Sequence, residues 1–257
     1  MSAQAGANAD GGDGFDVRSL AMTFRDGYAT NMHTHPWAQL VYARSGVMNV
    51  TAGRLVWFVP PTRAIWIPPR TLHRIATKGE VALRTLYIAP GRTGEVRRGV
   101  EAMEVSPLLT ELILHVLSRQ MLDPLKPEDD RLAGVLVDQI AAAPAIDLAL
   151  PLPRDERAMR LADMLRNDPA DRRDLDALAG LCGASLRTLQ RSFADETGLT
   201  IDAWRQKARL VHAATTLAGG ASVTSAAMDC GYDSPSAFIA AFKRQFGVTP
   251  GRFGGEV

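Results

Sequence analysis

Hydrophobic and polar positions along this 257-residue chain follow two different periods. From Phe15 to about Pro90 the apolar residues form short runs or alternate with polar ones. Gln39-Leu40-Val41-Tyr42-Ala43, Val47-Met48-Asn49-Val50 and Leu55-Val56-Trp57-Phe58-Val59 are the clearest, punctuated by Gly46, Gly53, Pro60-Pro61 and Pro68-Pro69. Short strands at this spacing predict a small β-sandwich or barrel. From Ser106 the period becomes helical. Ser106-Pro107 offers an N-cap and a proline at the first helical position. Leu109, Leu112, Ile113, Val116 and Leu117 then share one face, until Asp123-Pro124 breaks the run. A second helix is predicted near Pro127, with Leu132, Val135, Leu136 and Ile140 apolar. This pair needs a partner surface, either the β region or a second copy of the chain, and the breadth of both faces favours the second. Ala143-Pro144 to Pro151-Leu152-Pro153 reads as a linker. Helical patterning resumes at Asp155 and runs to about Phe253.

The last hundred residues contain a repeat. Cys182-Gly183 and Cys230-Gly231 are 48 residues apart, and beyond them the offset is 49: Ser185 matches Ser234, Leu189 matches Phe238, Phe193 matches Phe242, and Gly198 matches Gly247. Two copies imply a duplicated supersecondary unit. Each reads as a short helix, a tight turn with glycine free to take positive φ, a serine N-cap and a second helix. The second helices bury Leu189 and Phe193 in one copy and Phe238, Phe242 and Phe246 in the other. Their opposite faces carry Arg187, Gln190 and Arg191, then Ser236, Ile239, Ala240, Lys243 and Arg244. No acidic residue occurs from Gly183 to Ala194 or from Ser234 to Gly255. A cationic, acid-free helix after a tight turn suits the major groove, where Arg grips guanine and Gln pairs with adenine. One such face alone would read as a solvated surface. Two copies sharing turn, cap and core argue for DNA.

These residues resemble the AraC/XylS family of bacterial transcription regulators. The resemblance rests on the stretch Leu178 to Phe193 (LAGLCGASLRTLQRSF), on Gly231-Tyr232-Asp233-Ser234-Pro235-Ser236-Ala237-Phe238, and on the stretch Phe242 to Pro250 (FKRQFGVTP). It covers about Arg154 to Phe253. It implies two helix-turn-helix units joined by a long helix, here Ile201 to Leu217, with both recognition helices on one DNA face. On that footing Arg187, Gln190 and Arg191 read base edges. Ser236, Ile239 and Ala240 make apolar contacts such as those to thymine methyls, and Lys243 and Arg244 sit on phosphate.

A second constellation lies near the amino terminus. His33-x-His35-x3-Gln39-x6-Gly46, followed by Pro68-x-Arg70-x2-His73, resembles the two cupin motifs, with Gln39 where glutamate is usual and Arg70 where glycine is usual. Three imidazoles and an oxygen donor could hold a divalent metal such as Zn²⁺, Fe²⁺, Mn²⁺ or Ni²⁺. The same residues could instead line an effector pocket or satisfy core hydrogen bonds. Trp37 and Trp66 are candidates for that pocket, with Trp57 nearby, although packing is the commoner role of such residues. Arg63 and Arg70 read equally as partners of an acidic ligand or as surface charges. Cys182 and Cys230 read as packing residues rather than a redox pair.

Composition bounds the remaining choices. Hydrophobic residues make up 46% and charged residues 22%, ordinary for a globular protein, and no stretch is apolar enough to span a bilayer. Residues 1–14 lack a basic start and an apolar run, and read as a disordered tail rather than a secretory signal. The 29 basic and 28 acidic residues nearly cancel, which excludes a polybasic membrane binder and predicts modest, salt-sensitive non-specific DNA affinity.

The expected fold class is multidomain α and β: an N-terminal cupin-like β-barrel, a helical linker and dimerisation segment, and a C-terminal all-α double helix-turn-helix domain. The expected boundaries are a tail at 1–14, a cupin-like effector domain at 15–95, a helical segment and linker at 96–153, and an AraC-type DNA-binding domain at 154–257. The expected function is a cytoplasmic, sequence-specific DNA-binding regulator and not an enzyme. Its expected partners are a double-stranded operator, a small-molecule effector, a second copy of the chain, and RNA polymerase if it activates; a membrane is not among them. The competing class is a metal-dependent cupin oxygenase or isomerase with an appended helical domain.

Overall fold

The computed structural model describes residues 14–254, apart from 62 and 95. The tail expected at 1–14 therefore lies outside the described residues, Gly14 excepted. In chain order the strands are β1 (Val17–Phe24), β2 (Ala38–Ala43), β3 (Val47–Ala52), β4 (Leu55–Val59), β5 (Arg63–Ile67), β6 (His73–Lys78), β7 (Val81–Ile88), β8 (Glu101–Glu104), β9 (Met121–Leu122), β10 (Ala145–Ile146) and β11 (Ala149–Pro151). The helices are α1 (Pro90–Thr93), α2 (Pro107–Arg119), α3 (Pro127–Ala142), α4 (Glu156–Asn167), α5 (Leu175–Leu181), α6 (Leu186–Thr197), α7 (Ile201–Ala218), α8 (Val223–Asp229), α9 (Pro235–Phe246) and α10 (Pro250–Gly254). The chain forms two compact units, one of Met1–Met48 with Pro61–Ile146, the other of Asn49–Pro60 with Asp147–Val257.

The first unit is β-rich, as the period-two pattern predicts. Its seven-stranded sheet runs β10-β8-β5-β2-β7-β1-β9 and ends in two edge strands. Strands β2 and β5 are buried at every position because both faces of the sheet are covered there. Helices α2 and α3 cover one face. Ser106 caps α2 by accepting from the Leu109 N–H at 3.1 Å, and Pro107 and Pro127 open the two helices. Leu109, Ile113 and Val116 of α2, with Ala133, Leu136 and Ile140 of α3, bury against Val17, Leu40, Trp66, Leu86 and Ile88. Each large side chain so buried contributes about 1.5–3 kcal/mol. The apolar faces that pointed to a dimer are thus covered by the sheet. Leu108 and Val135 remain exposed on these helices.

The second unit is helical, with the β4–β11 pair packed into its core. Val56 and Leu150 cluster with Ala158, Leu161, Leu165, Leu178, Phe193 and Trp204. The Trp204 indole N–H donates to the Pro151 carbonyl at 2.6 Å, which ties α7 to β11. This is why the segment 49–60, Trp57 included, groups with the helices rather than with the first unit.

Candidate functional site

Two local motifs position the carboxyl-terminal candidates. In the first, α5 ends at Cys182, Gly183 takes φ +71°, and Ser185 accepts from the Thr188 N–H at 3.2 Å to start α6. In the second, α8 ends at Cys230, Gly231 takes φ +74°, and Ser234 accepts from the Ala237 N–H at 3.2 Å to start α9. Gly198 and Gly247 close the two helices in the left-handed conformation. The duplicated turn, cap and core anticipated from the repeat are all present. Helix α7, expected at Ile201 to Leu217, joins the two copies.

Leu189 and Phe193 are buried on α6, and Phe238 and Phe242 on α9. Phe242 packs against Phe246 at 4.6 Å and Phe253 at 5.3 Å between ring centroids. Burial of these stripes fixes what each helix shows to solvent. Arg187, Gln190 and Arg191 of α6 are exposed, as are Ser236, Ile239, Ala240, Lys243 and Arg244 of α9. Among the described residues, Arg187, Arg191, Lys243 and Arg244 form no ion pair. Many other cations of this unit are engaged internally. Arg157 pairs with Asp155, Arg166 with Asp163, Arg173 with Asp171, Arg172 with Asp233 and Lys207 with Asp147. Arg209 donates to the Pro169 carbonyl at 2.7 Å and the Asp171 carbonyl at 3.0 Å. Both helices that follow the turns therefore present exposed cations that no carboxylate neutralises among the described residues.

Sequence reasoning missed Arg160. Its guanidinium donates to the Cys182 carbonyl at 2.7 Å and holds the first turn. Nothing local marks it, because its partner lies 22 residues away. The cysteines behave as packing residues: Cys182 lies 3.9 Å from Met164 Sδ, and burial pushes the Cys230 thiol up to about 12.

The histidine constellation lies in the first unit. His33 and His73 exchange both backbone hydrogen bonds at 2.9 Å, which brings their rings to 4.3 Å between centroids. His35 is 5.0 Å from His73, and one nitrogen of each of the three lies within 4.8 Å of the others. Every Nδ1 is tied to a backbone carbonyl: His33 to Asn31 at 2.9 Å, His35 to Trp37 at 2.7 Å and His73 to Thr71 at 2.8 Å. A carbonyl only accepts, so in the neutral rings each Nδ1 carries the proton and each Nε2 offers a lone pair. The Nε2 of His73 is buried without a hydrogen-bond partner. Burial pushes the His73 imidazole down to about 4 and lowers His35 as well, with the neighbouring His33 adding to both shifts. Convergent Nε2 lone pairs, each backed by a carbonyl on Nδ1, fit a metal.

Arg70 occupies its turn at φ +59°, the conformation that the usual glycine would adopt freely, and its N–H donates to the His35 carbonyl at 2.8 Å. Gln39 is buried, with Oε1 3.1 Å from His35 Nε2 and its amide nitrogen donating to Thr85 Oγ1 at 3.0 Å and Tyr87 at 3.2 Å. The sheet register places Ile67, Gln39, Tyr87 and Arg18 in one row on one face. The Arg18 guanidinium stacks over Trp37 at 4.9 Å. Trp66 is not with them. It pairs with Leu40, whose side chain faces α2 and α3, and its indole N–H donates to the Arg97 carbonyl at 3.2 Å. As a pocket residue beside the histidines Trp66 is therefore corrected, because neighbouring positions on a strand face opposite ways. Tyr87, Thr85 and Arg18 join the candidates instead.

Residues 22–165 match the family described as AraC-like ligand binding domain, and residues 178–255 match a helix-turn-helix domain. The HTH-type transcriptional regulator NimR of Escherichia coli is 33% identical over 228 residues, covering 89% of this chain and 83% of that protein. The HTH-type transcriptional regulator RipA of Corynebacterium glutamicum is 28% identical over 221 residues, covering 84% of this chain and 61% of that protein. Among solved structures, ToxT from Vibrio cholerae O395 aligns with a TM-score of 0.40 at 12% identity, covering 93% of this chain and 96% of that one.

Proposed function

Because the chain belongs to the AraC family of DNA-binding transcriptional regulators and carries that family's ligand-binding domain, we propose that α6 and α9 are its recognition helices and the histidine face of the first unit its sensor. Arg187, Gln190 and Arg191 read base edges in one major-groove segment. Ser236, Ile239 and Ala240 make apolar contacts in the next, and Lys243 and Arg244 hold phosphates. The observation that carries this reading is the exposure of all eight side chains on two equivalent helices, with no ion pair on their four cations among the described residues.

The sensor is formed by His33, His35, Trp37, Gln39 and His73, of which the three histidines and Gln39 would hold a divalent metal. When bound, such a metal would supply a Lewis-acidic point of attachment for an effector, and the site recognises rather than turns over its ligand. The effector acts by binding the DNA-competent state more or less tightly than its alternative. The protein works in the cytoplasm as a homodimer, and with RNA polymerase as a partner where it activates. Among the described residues no helix is long and apolar enough to cross a membrane.

Capture of genomic fragments by the purified protein, followed by footprinting, tests the DNA reading. The expected footprint has two protected major-groove segments about 10 bp apart on one face of the duplex. Protection without sequence preference, or none at all, would overturn it.

A further inference from the structure

The helix that joins the two copies has a polar face outside both recognition helices. Asp202, Arg205, Gln206 and Arg209 recur along α7 at i, i+3, i+4 and i+7 and so share one side. Trp204, Ala208 and Val211 of the same helix are buried in the core. The polar side forms one wall of a surface cavity of about 380 Å³, completed by Arg172 from the loop after α4 and by Gly231 and Asp233 from the turn before α9. Three guanidinium groups and two carboxylates line it, a net charge of +1.

Backbone carbonyls fix the two α7 arginines. Arg209 donates to Pro169 and Asp171, and Arg205 donates to the Asp171 carbonyl from Nη2 and to the Arg173 carbonyl from Nη1 at 3.4 Å. A neutral carbonyl orients a guanidinium without cancelling its charge, and neither arginine has an ion pair among the described residues. The nearby Asp171 carboxylate is already bound by Arg173. The Nε of Arg205 is buried without a hydrogen-bond partner. Burial lowers the Arg209 guanidinium from its ordinary value, and the neighbouring Arg205 adds to the shift, with a smaller part from Arg172. These cations are crowded, and an arginine does not relieve crowding by losing its proton.

The rim holds a movable pair. Arg172 meets Asp233 at 2.7 Å, and their side chains are 67% and 83% exposed. So exposed a pair is held weakly, and Arg172 can turn to another anion at little cost. Asp233 directly precedes Ser234, the N-cap of α9. With α9 in a major groove, the strand bordering that groove passes the start of the helix. Two fixed guanidiniums and one movable fork suit a phosphate, whose oxygens accept from several N–H groups at once.

We propose that this cavity is a phosphate site, filled by a DNA backbone phosphate beside α9, and that Asp233 competes with it, holding Arg172 in the free protein and releasing it when DNA docks. The proposal rests on the reading of α9 as a recognition helix.

The test measures the affinity of the full-length protein for the footprinted genomic fragment by fluorescence anisotropy, between about 50 and 200 mM salt. Arg172→Ala should weaken binding about tenfold and lower the slope of log K against log salt by about one. Asp233→Asn should do the opposite and strengthen binding about two- to fivefold, because Arg172 no longer has to be released. A pair that only braced the turn would lose affinity in both variants. Asp163→Asn makes the same change of charge in a pair on α4 and should leave affinity within about twofold. Methylphosphonate substitution, which neutralises one phosphate at a time, should find a position that costs the native protein about tenfold and Arg172→Ala little. Inorganic phosphate, titrated at constant ionic strength, separates the two sources of this chemistry. If it binds saturably without DNA, is lost in Arg172→Ala, and DNA affinity is unchanged in that variant, the site serves a free phosphate and the DNA assignment is overturned. If Lys243→Ala leaves DNA binding unchanged, the reading of α9 falls and the proposal with it. If Lys243→Ala weakens binding but Arg172→Ala does not, or Asp233→Asn weakens it, or Asp163→Asn gains as much as Asp233→Asn, the proposal alone is overturned.

Discussion

The two turn glycines occupy equivalent places but different surroundings, and a matched pair of substitutions separates backbone strain from crowding. Gly183 has φ +71°, and a Cβ built there meets nothing within 4 Å. Gly231 has φ +74°, and a Cβ there stands 3.1 Å from Ala170 Cα, 3.3 Å from Arg209 Nη2 and 3.4 Å from the Ala170 carbonyl. Alanine in the left-handed region costs about 1–2 kcal/mol, offset by about 0.4–1 kcal/mol because alanine restricts the unfolded chain. Gly183→Ala should therefore destabilise by about 0–1.6 kcal/mol. Gly231→Ala bears the same strain and an additional overpacking cost of about 1–3 kcal/mol, because neither Ala170 nor Arg209 can easily withdraw. Arg209 is held by the Pro169 and Asp171 carbonyls, and its own carbonyl accepts from Cys230 Sγ at 3.1 Å. A total of about 1–4.6 kcal/mol corresponds to a melting temperature lower by roughly 2–18 °C. Urea and thermal unfolding followed by circular dichroism measure both variants. Asparagine, which tolerates positive φ, is the control: it should rescue position 183 and fail at 231. Equal losses for the two alanine variants would show that the approach to Ala170 has no energetic weight.

On the DNA side, Arg191→Ala should relax preference at one operator position, losing about 1–3 kcal/mol there, as read by competition binding with single-base operator variants. Lys243→Ala should weaken all sequences alike and flatten the dependence of log K on log salt by about one contact; unchanged operator binding in both variants would mean the wrong faces are assigned. Acid sensitivity has a local source in the second unit. The Arg173 guanidinium beside Asp171 holds that carboxyl below its ordinary value of 3.8. A depressed folded value means that this contribution to stability is complete above 3.8 and disappears as the pH falls through the folded value. Asp171→Asn should be less stable than the native chain at neutral pH and converge with it in strong acid, as measured by melts across pH. Trp204→Phe should destabilise by about 1–3 kcal/mol in thermal unfolding, because it leaves the Pro151 carbonyl without its indole donor.

How much of this was legible in the sequence follows from how far apart the cooperating residues lie. The helix-turn-helix copies could be read because everything that specifies them is local. Gly183 and Ser185, or Gly231 and Ser234, sit within a few residues of the helices they separate, and the Leu189–Phe193 and Phe238–Phe242 stripes recur at i, i+4. The middle helices were equally legible as helices, yet an apolar stripe has the same appearance whether a sheet or a second copy covers it. The partner of Ile113 and Leu136 emerged only with the sheet. The histidine face was half legible. The spacing of His33, His35 and His73 brought three imidazoles together, and Gln39 stood out as the odd member. What Gln39 does depends on Thr85 and Tyr87, 46 and 48 residues further on, and so on the register of β2 against β7. Register also decides sides: pairing Leu40 with Trp66 sends that tryptophan to the helices, and pairing Arg18 with Tyr87 brings the arginine onto the row of Gln39. A one-residue slip would exchange these faces. No count of alternating residues along a single strand contains that information, because it belongs to the pairing of strands distant in the chain.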